Sequence, residues 1–248
     1  MCCAGIFCLQ RCKLCSENRG ERPNIIVFLA DDFGYGSTNV YGAPDSLIST
    51  PSINKLAREG IQFTNAFTTG SVCIPSRYAL MTGEYSWSPP LKKDVVNTFD
   101  PALIDVNKKT LPKYLQSLGY KTAQVGKWHL GFKEEKFENL LGEIYPGPND
   151  YGFDYTFSLP NNLDDTHKVY VENNEIYGLR SDKVCAYGKS FYGKQYTGYD
   201  APQRVTENVT VRSYGKCGTI LHGQRTLLAH SLSVQLCRQA MENAEIRS

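Results

Sequence analysis

"PNIIVFLADDFGYG", residues 23–36, decides the fold. Ile25 to Ala30 is an unbroken apolar, β-branched run, which suits a strand buried on both faces. It stops at Asp31-Asp32 and a pair of glycines. In open α/β sheets, ligands gather beyond the carboxyl ends of such strands. Adjacent carboxylates there repel each other and resist desolvation, and a hard divalent cation removes both costs. The same pair also suits a solvated loop or a helix cap. "DFG" at 32–34 has no His-Arg-Asp loop or Val-Ala-Ile-Lys strand beside it, so a kinase reading fails.

Outward from that strand, the helix and strand signals alternate. "TPSINKLAREG", 50–60, has Thr50 as a cap, Pro51 in the first turn and Gly60 as a stop. "IQFTNAFTT", 61–69, carries strand-like residues. "TLPKYLQSLG", 110–119, repeats the helix recipe from Thr110 to Gly119, and "YKTAQVG", 120–126, reads as another strand. The order predicts an α/β protein with a mostly parallel central sheet flanked by helices. Residues 145–199, rich in tyrosine, glycine and asparagine, predict long surface loops with short strands such as "KVYVEN".

Two further clusters carry chemistry. In "SVCIPSRYALMTG", 71–83, Pro75 fits the first turn of a helix. Cys73 then sits at the helix N-terminus, where the dipole favours negative charge, and Arg77 lies one turn along on the same side. A buried free cysteine is the plainer alternative. In "GKWHLG", 126–131, an extended chain points Lys127 and His129 into one cleft and Trp128 the other way. A cation and a proton shuttle suit a tetrahedral anion such as a sulfate or phosphate ester.

The 248 residues carry a net charge of +2, which gives no argument for nucleic acid or an anionic membrane as partner. No apolar run is long enough to span a bilayer. Five of the nine cysteines fall within residues 1–22, a front-loaded and odd count that does not form a disulfide framework. Cys12 and Cys15 have the spacing of a zinc ribbon without a second pair. "CCAGIFCL" has the apolarity of a signal-peptide core but no basic leader and no Ala-x-Ala site, so residues 1–22 are a leader of uncertain role. From about residue 211 the composition changes, with one aromatic, no aspartate and five basic residues to the end. Leu228, Leu232, Leu236 and Ala240 there have helical spacing.

Together, "PNIIVFLADDFGYG", "CIPSRYALMTG" and "GKWHLG", in that order, resemble the sulfatase family. The resemblance covers about residues 23–210 and implies the N-terminal part of an alkaline-phosphatase-like catalytic domain. It leaves that domain incomplete, and the composition break makes residues 211–248 an atypical tail, expected to come from a shifted reading frame, an altered splice or a fragmentary gene model. The family's later histidine, Asp-Asn pair and second lysine have no match here: Asn149-Asp150 is reversed and early, and His222 and His230 lack the family context.

The resemblance also implies roles. Cys-x-Pro-Ser-Arg is the tag read by the formylglycine-generating enzyme, so Cys73 is the precursor of a formylglycine aldehyde. Its hydrate attacks sulfur and releases the alcohol; the second hydroxyl then helps expel sulfate and restores the aldehyde. Asp31, Asp32 and the residue at Cys73 hold calcium, with magnesium as the other candidate. Arg77 stabilises the ionised hydrate, Lys127 contacts sulfate, and His129 takes the proton. Asn162, in "SLPNNLDD", fills the family's polar position after the second signature. The implied substrate is a sulfated small molecule or glycan, and the implied compartment periplasmic, lysosomal or extracellular. Asn208-Val-Thr210 is a glycosylation triplet. The competing readings are a phosphate or phosphonate ester hydrolase of the same superfamily, and an inactive fragment with a binding role.

Overall fold

The computed structural model describes residues 23–87, 96–162, 165, 167–189, 193–202, 212–213 and 215–217, with the backbone of strands at 6–8 and 226–233. The strands are β1 (Ile6–Cys8), β2 (Ile25–Asp31), β3 (Lys121–Lys127), β4 (Tyr155–Leu159), β5 (Val171–Glu172), β6 (Glu175–Ile176), β7 (Ser181–Lys189), β8 (Gln195–Asp200) and β9 (Thr226–Ser233). The α-helices are α1 (Pro51–Glu59), α2 (Cys73–Thr82) and α3 (Leu111–Ser117).

The main sheet has the order β1-β2-β9-β3-β4-β5-β6, and β7 pairs with β8 in a separate hairpin. β2, β9, β3 and β4 run parallel, while β1, β5 and β6 run antiparallel to their neighbours. The expected mostly parallel sheet is therefore present at the centre, within a mixed sheet. Because β2, β3 and β4 run one way, Asp31, Lys127 and the residues after Leu159 all emerge at the same edge. That edge is where ligands collect in open α/β sheets.

β3 is buried at every position after Lys121, as a central strand should be. β2 differs from the expectation of two buried faces. Val27 and Leu29 are buried, whereas Phe28, which points the other way, is 38% exposed. A continuous apolar run satisfies either arrangement, so only packing distinguishes them.

The helices fall where their caps predict. Thr110 Oγ1 accepts from Lys113 N at 3.4 Å, capping α3, and Gly119 follows its end at φ 82°. Thr50 occupies the cap position of α1 but bonds elsewhere: its Oγ1 accepts from Asn39 N and donates to Asn39 Oδ1.

Two expectations are overturned. Residues 61–69 form no strand; they lie as turns and irregular chain with Ile61, Phe63 and Phe67 exposed. Among the described residues no strand lies alongside to complete a ladder, and β propensity without a neighbour forms no sheet. The place in the sheet is taken instead by β9, which inserts between β2 and β3. Leu228 and Leu232 therefore lie in a strand, not on a helix face. A spacing of four is even, so it marks one face of a strand as well as one face of a helix. Leu236, Ala240, Cys12, Cys15 and the Asn208 triplet lie outside the described residues.

The largest apolar cluster joins α2 to the chain after β3. Ile74, Tyr78 and Met81 pack in it with Trp128, Leu130, Phe132 and Tyr151. Trp128 stacks on Tyr151 with centroids 5.6 Å apart, and its Nε1 donates to Gly131 O at 2.7 Å. This cluster anchors α2 along its length beside the chain that follows β3.

Candidate active site

Helix α2 is docked by its own first turns. Ser76 Oγ donates to Gly70 O at 3.0 Å, and a Cβ on Gly70 would lie 2.7 Å from Pro75 Cβ, so only glycine permits this approach. At its far end Gly83, at φ 72°, closes the helix in the left-handed conformation. Arg77 reaches back across the sheet edge. One terminal nitrogen donates to Lys127 O at 2.7 Å and the other lies 3.3 Å from Asp31 Oδ1. Lys127 Nζ then sits 2.7 Å from Asp31 Oδ2 and 3.0 Å from Cys73 Sγ. Asp31, Cys73, Arg77 and Lys127, from two strands and one helix, thus meet at one point.

The charges there hold one another. Burial opposes ionisation of Asp31, but the Arg77 guanidinium and the Lys127 ammonium outweigh it and hold the carboxyl below its usual range. Burial also draws the Arg77 pKa down while Asp31 pulls it back, and the guanidinium stays charged. Breaking such a pair from one side leaves an uncompensated buried charge.

Asp32 follows β2 at φ 54°, and His129 follows β3 at φ 57°. Two non-glycine residues in the left-handed region, both at strand ends beside the cluster, are local strain held by the surrounding fold. The turn at Asp32 brings its carboxylate to the cleft, and the candidate ligand atoms of Asp31, Asp32 and Cys73 lie within 4.8 Å of one another. Two carboxylates are a hard-oxygen set that fits calcium or magnesium. Cys73 is at the N-terminus of a ten-residue helix and is partly exposed.

The bend at His129 changes one expectation. Lys127 and His129 do not project side by side from an extended chain. Lys127 enters the cluster, whereas His129 Nε2 lies 3.1 Å from Val96 O. Its backbone N–H donates to Pro160 O at 3.1 Å, and Trp128 N donates to Leu159 O at 2.9 Å, so the segment is zipped to the end of β4. Burial first, then the positive charges of Lys127 and Arg77, lower the His129 pKa to about 3.

Asn162 is half-buried just beyond β4, and its backbone N–H donates to Asn161 Oδ1 at 2.8 Å. The neighbouring Asn161 is the buried one and donates from Nδ2 to Val96 O at 3.3 Å. Sequence reading did not single out Asn161, because two adjacent asparagines carry the same local signal.

Fold and site define an α/β protein with a cluster of paired charges at the carboxyl edge of its parallel strands. The family model described as Sulfatase matches residues 23–208, and the chain belongs to the sulfatase family. It is 35% identical over 217 residues to the N-acetylgalactosamine-6-O-sulfatase of Bacteroides thetaiotaomicron, covering 87% of this chain and 41% of that protein. Human arylsulfatase H is 34% identical over 152 residues, covering 57% of this chain and 25% of that one. A solved structure concerned with metabolism of multiple glycosaminoglycans by B. thetaiotaomicron superposes with TM-score 0.75 at 28% identity, covering 85% of this chain and 51% of that one. A sulfatase from Pseudoalteromonas sp. shares the fold, with TM-score 0.59 at 23% identity over 86% of this chain and 44% of that one. The chain thus spans about half the length of these relatives or less. Among the described residues no helix is long and apolar enough to cross a membrane.

Proposed function

We propose that this chain carries the nucleophile half of a site that hydrolyses sulfate monoesters. The observation that carries the reading is the placement of Lys127 Nζ against both Asp31 and Cys73. That arrangement keeps a cation at the position where an anionic ester would meet residue 73. Arg77, locked by Asp31 and the Lys127 carbonyl, adds a second fixed positive charge. Fixed charges of this kind act on the transition state without reorganising, and removing one costs on the order of 10²–10³ in rate.

Cys73, within Cys-x-Pro-Ser-Arg, is the residue converted to formylglycine by a formylglycine-generating enzyme. If residue 73 were so converted, its hydrated aldehyde would supply the attacking oxygen, held where Lys127 and Arg77 stand beside it. Asp31 and Asp32 would hold calcium or magnesium, which would supply Lewis acidity there. Lys127 orients the ester, and Asn162 offers a polar contact on the β4 side. His129, neutral at working pH, moves the proton.

The substrate class is a sulfated sugar of a glycan. This follows the 6-O-sulfated amino sugar named for the bacterial relative. Export to the periplasm, the lysosome or the cell exterior is proposed with it.

The test has two arms. The Cys73 peptide of protein co-expressed with the modifying enzyme is weighed, where conversion exchanges sulfur for oxygen with loss of two hydrogens. Hydrolysis of an aryl sulfate, an aryl phosphate and 6-O-sulfated N-acetylgalactosamine is then compared for wild type and Cys73→Ala. Sulfate release that needs Cys73 supports the proposal. Phosphate release alone would move it to phosphoester chemistry, and release of neither would leave a binding role.

A further inference from the structure

His129 is 6% exposed and Asn161 8%, and both donate to the same oxygen, the Val96 carbonyl. A carbonyl only accepts, with two lone pairs for two donors, so His129 Nε2 must carry the proton. In a neutral imidazole the other nitrogen is then an acceptor. His129 Nδ1 is buried and has no hydrogen-bond partner among the described residues. Buried acceptors without partners are rare, and each calls for an explanation.

The carbonyl that decides this is itself braced. Val96 is 2% exposed. Asn97 binds Asp100 Oδ2 through its backbone N–H at 2.9 Å and its Nδ2 at 3.0 Å, closing the turn behind it. Leu103 N donates to Leu130 O and Ala102 N to Lys133 O, tying that loop to the chain after His129. On the other side, Pro160 O holds the His129 backbone while Asn161 holds Val96 O.

We propose that Asn161 is a positioning residue: by anchoring the Val96 carbonyl it locks His129 as the Nε2–H tautomer and keeps Nδ1 as a buried acceptor directed away from Val96. The tautomer of a histidine is set by the hydrogen bond its other nitrogen makes, and here that bond is shared. The acceptor serves the ester hydrolysis proposed above, and its use there rests on that reading. The tautomer does not, and it is measurable in protein that turns over nothing.

The experiment is long-range proton–nitrogen correlation NMR at neutral pH, with measurement of couplings across hydrogen bonds, on the full chain uniformly labelled with nitrogen-15 and carbon-13. His129→Gln assigns the signal among the four histidines. Wild type should show Nε2 protonated and Nδ1 bare, with through-hydrogen-bond couplings from His129 Nε2 and Asn161 Nδ2 to the Val96 carbonyl carbon. Asn161→Leu and Asn161→Ala should shift the tautomer ratio by roughly tenfold, the scale of one hydrogen bond. A wild-type His129 protonated at Nδ1, or no coupling from Asn161, overturns the proposal even if neither variant folds. Folded variants with an unchanged ratio overturn it equally. Absence of sulfatase turnover alongside the expected tautomer would count against the proposed function alone.

Discussion

Lys127 Nζ lies 2.7 Å from Asp31 Oδ2 although 96 positions separate them in sequence. Their strands are not neighbours: β9 runs between β2 and β3. With strands spaced at about 4.8 Å, the lysine bridges roughly 10 Å of sheet edge over the end of β9. Only a long cationic side chain can do this. Lys127→Met keeps the stem and removes the charge, leaving Asp31 paired by Arg77 alone. It should cost about 1–3 kcal/mol in denaturant unfolding. A midpoint unchanged from wild type would show that the pair adds nothing to stability.

Arg77→Lys should behave as a severe change. A lysine cannot bind the Lys127 carbonyl and Asp31 together in the geometry of the planar fork. Hydrolysis should fall by roughly 10²-fold or more. Arg77→Met, which strips one partner from a buried pair, should destabilise by about 3–5 kcal/mol. Rates and thermal melts of the two variants side by side check both statements.

Acid should weaken the fold in two stages. His129 has a folded pKa of about 3 against 6.5 unfolded, so the unfolded chain binds the extra proton between those values. Stability from keeping this imidazole neutral is complete above about 6.5 and is lost as pH falls towards 3. Asp31 has a folded pKa below 3.8, so its contribution is present above 3.8 and is lost as pH falls through the folded value. Melting wild type and His129→Gln across this range should show a flatter acid limb in the variant. Parallel curves would remove His129 as the cause.

Calcium should stabilise the protein through Asp31 and Asp32. A ligand at 100 times its dissociation constant adds about 2.7 kcal/mol to a folded state that alone binds it. Thermal shift with calcium, magnesium or chelator should therefore separate the conditions for wild type and not for Asp32→Asn. Equal shifts in both proteins would place the ion elsewhere.

Much of the site was legible because its signals are local. A strand that ends in paired carboxylates, a proline-started helix behind a cysteine, and the caps Thr110 and Gly119 all act within a few residues. Their order along the chain was enough to expect a parallel sheet with ligands at its edge. The failures share a cause. Residues 61–69 have strand composition but no neighbouring strand among the described residues, while Thr226–Ser233, spaced for either period, takes a central place. Which segment pairs with which is a long-range decision that propensity does not carry. Asn161 was hidden for a similar reason, since its partner is a carbonyl 65 positions away.

By itself, then, the sequence determined the chemistry available: which residues could bear charge or offer hard oxygen atoms, and which elements would present them. The tertiary structure decided the pairings. It set Lys127 against Asp31 and Cys73, gave Arg77 two partners, and turned His129 away from the line of β3 toward Val96. Hydrogen bonds and ion pairs fall off within a few ångströms, so their partners exist only once the chain has brought distant segments together.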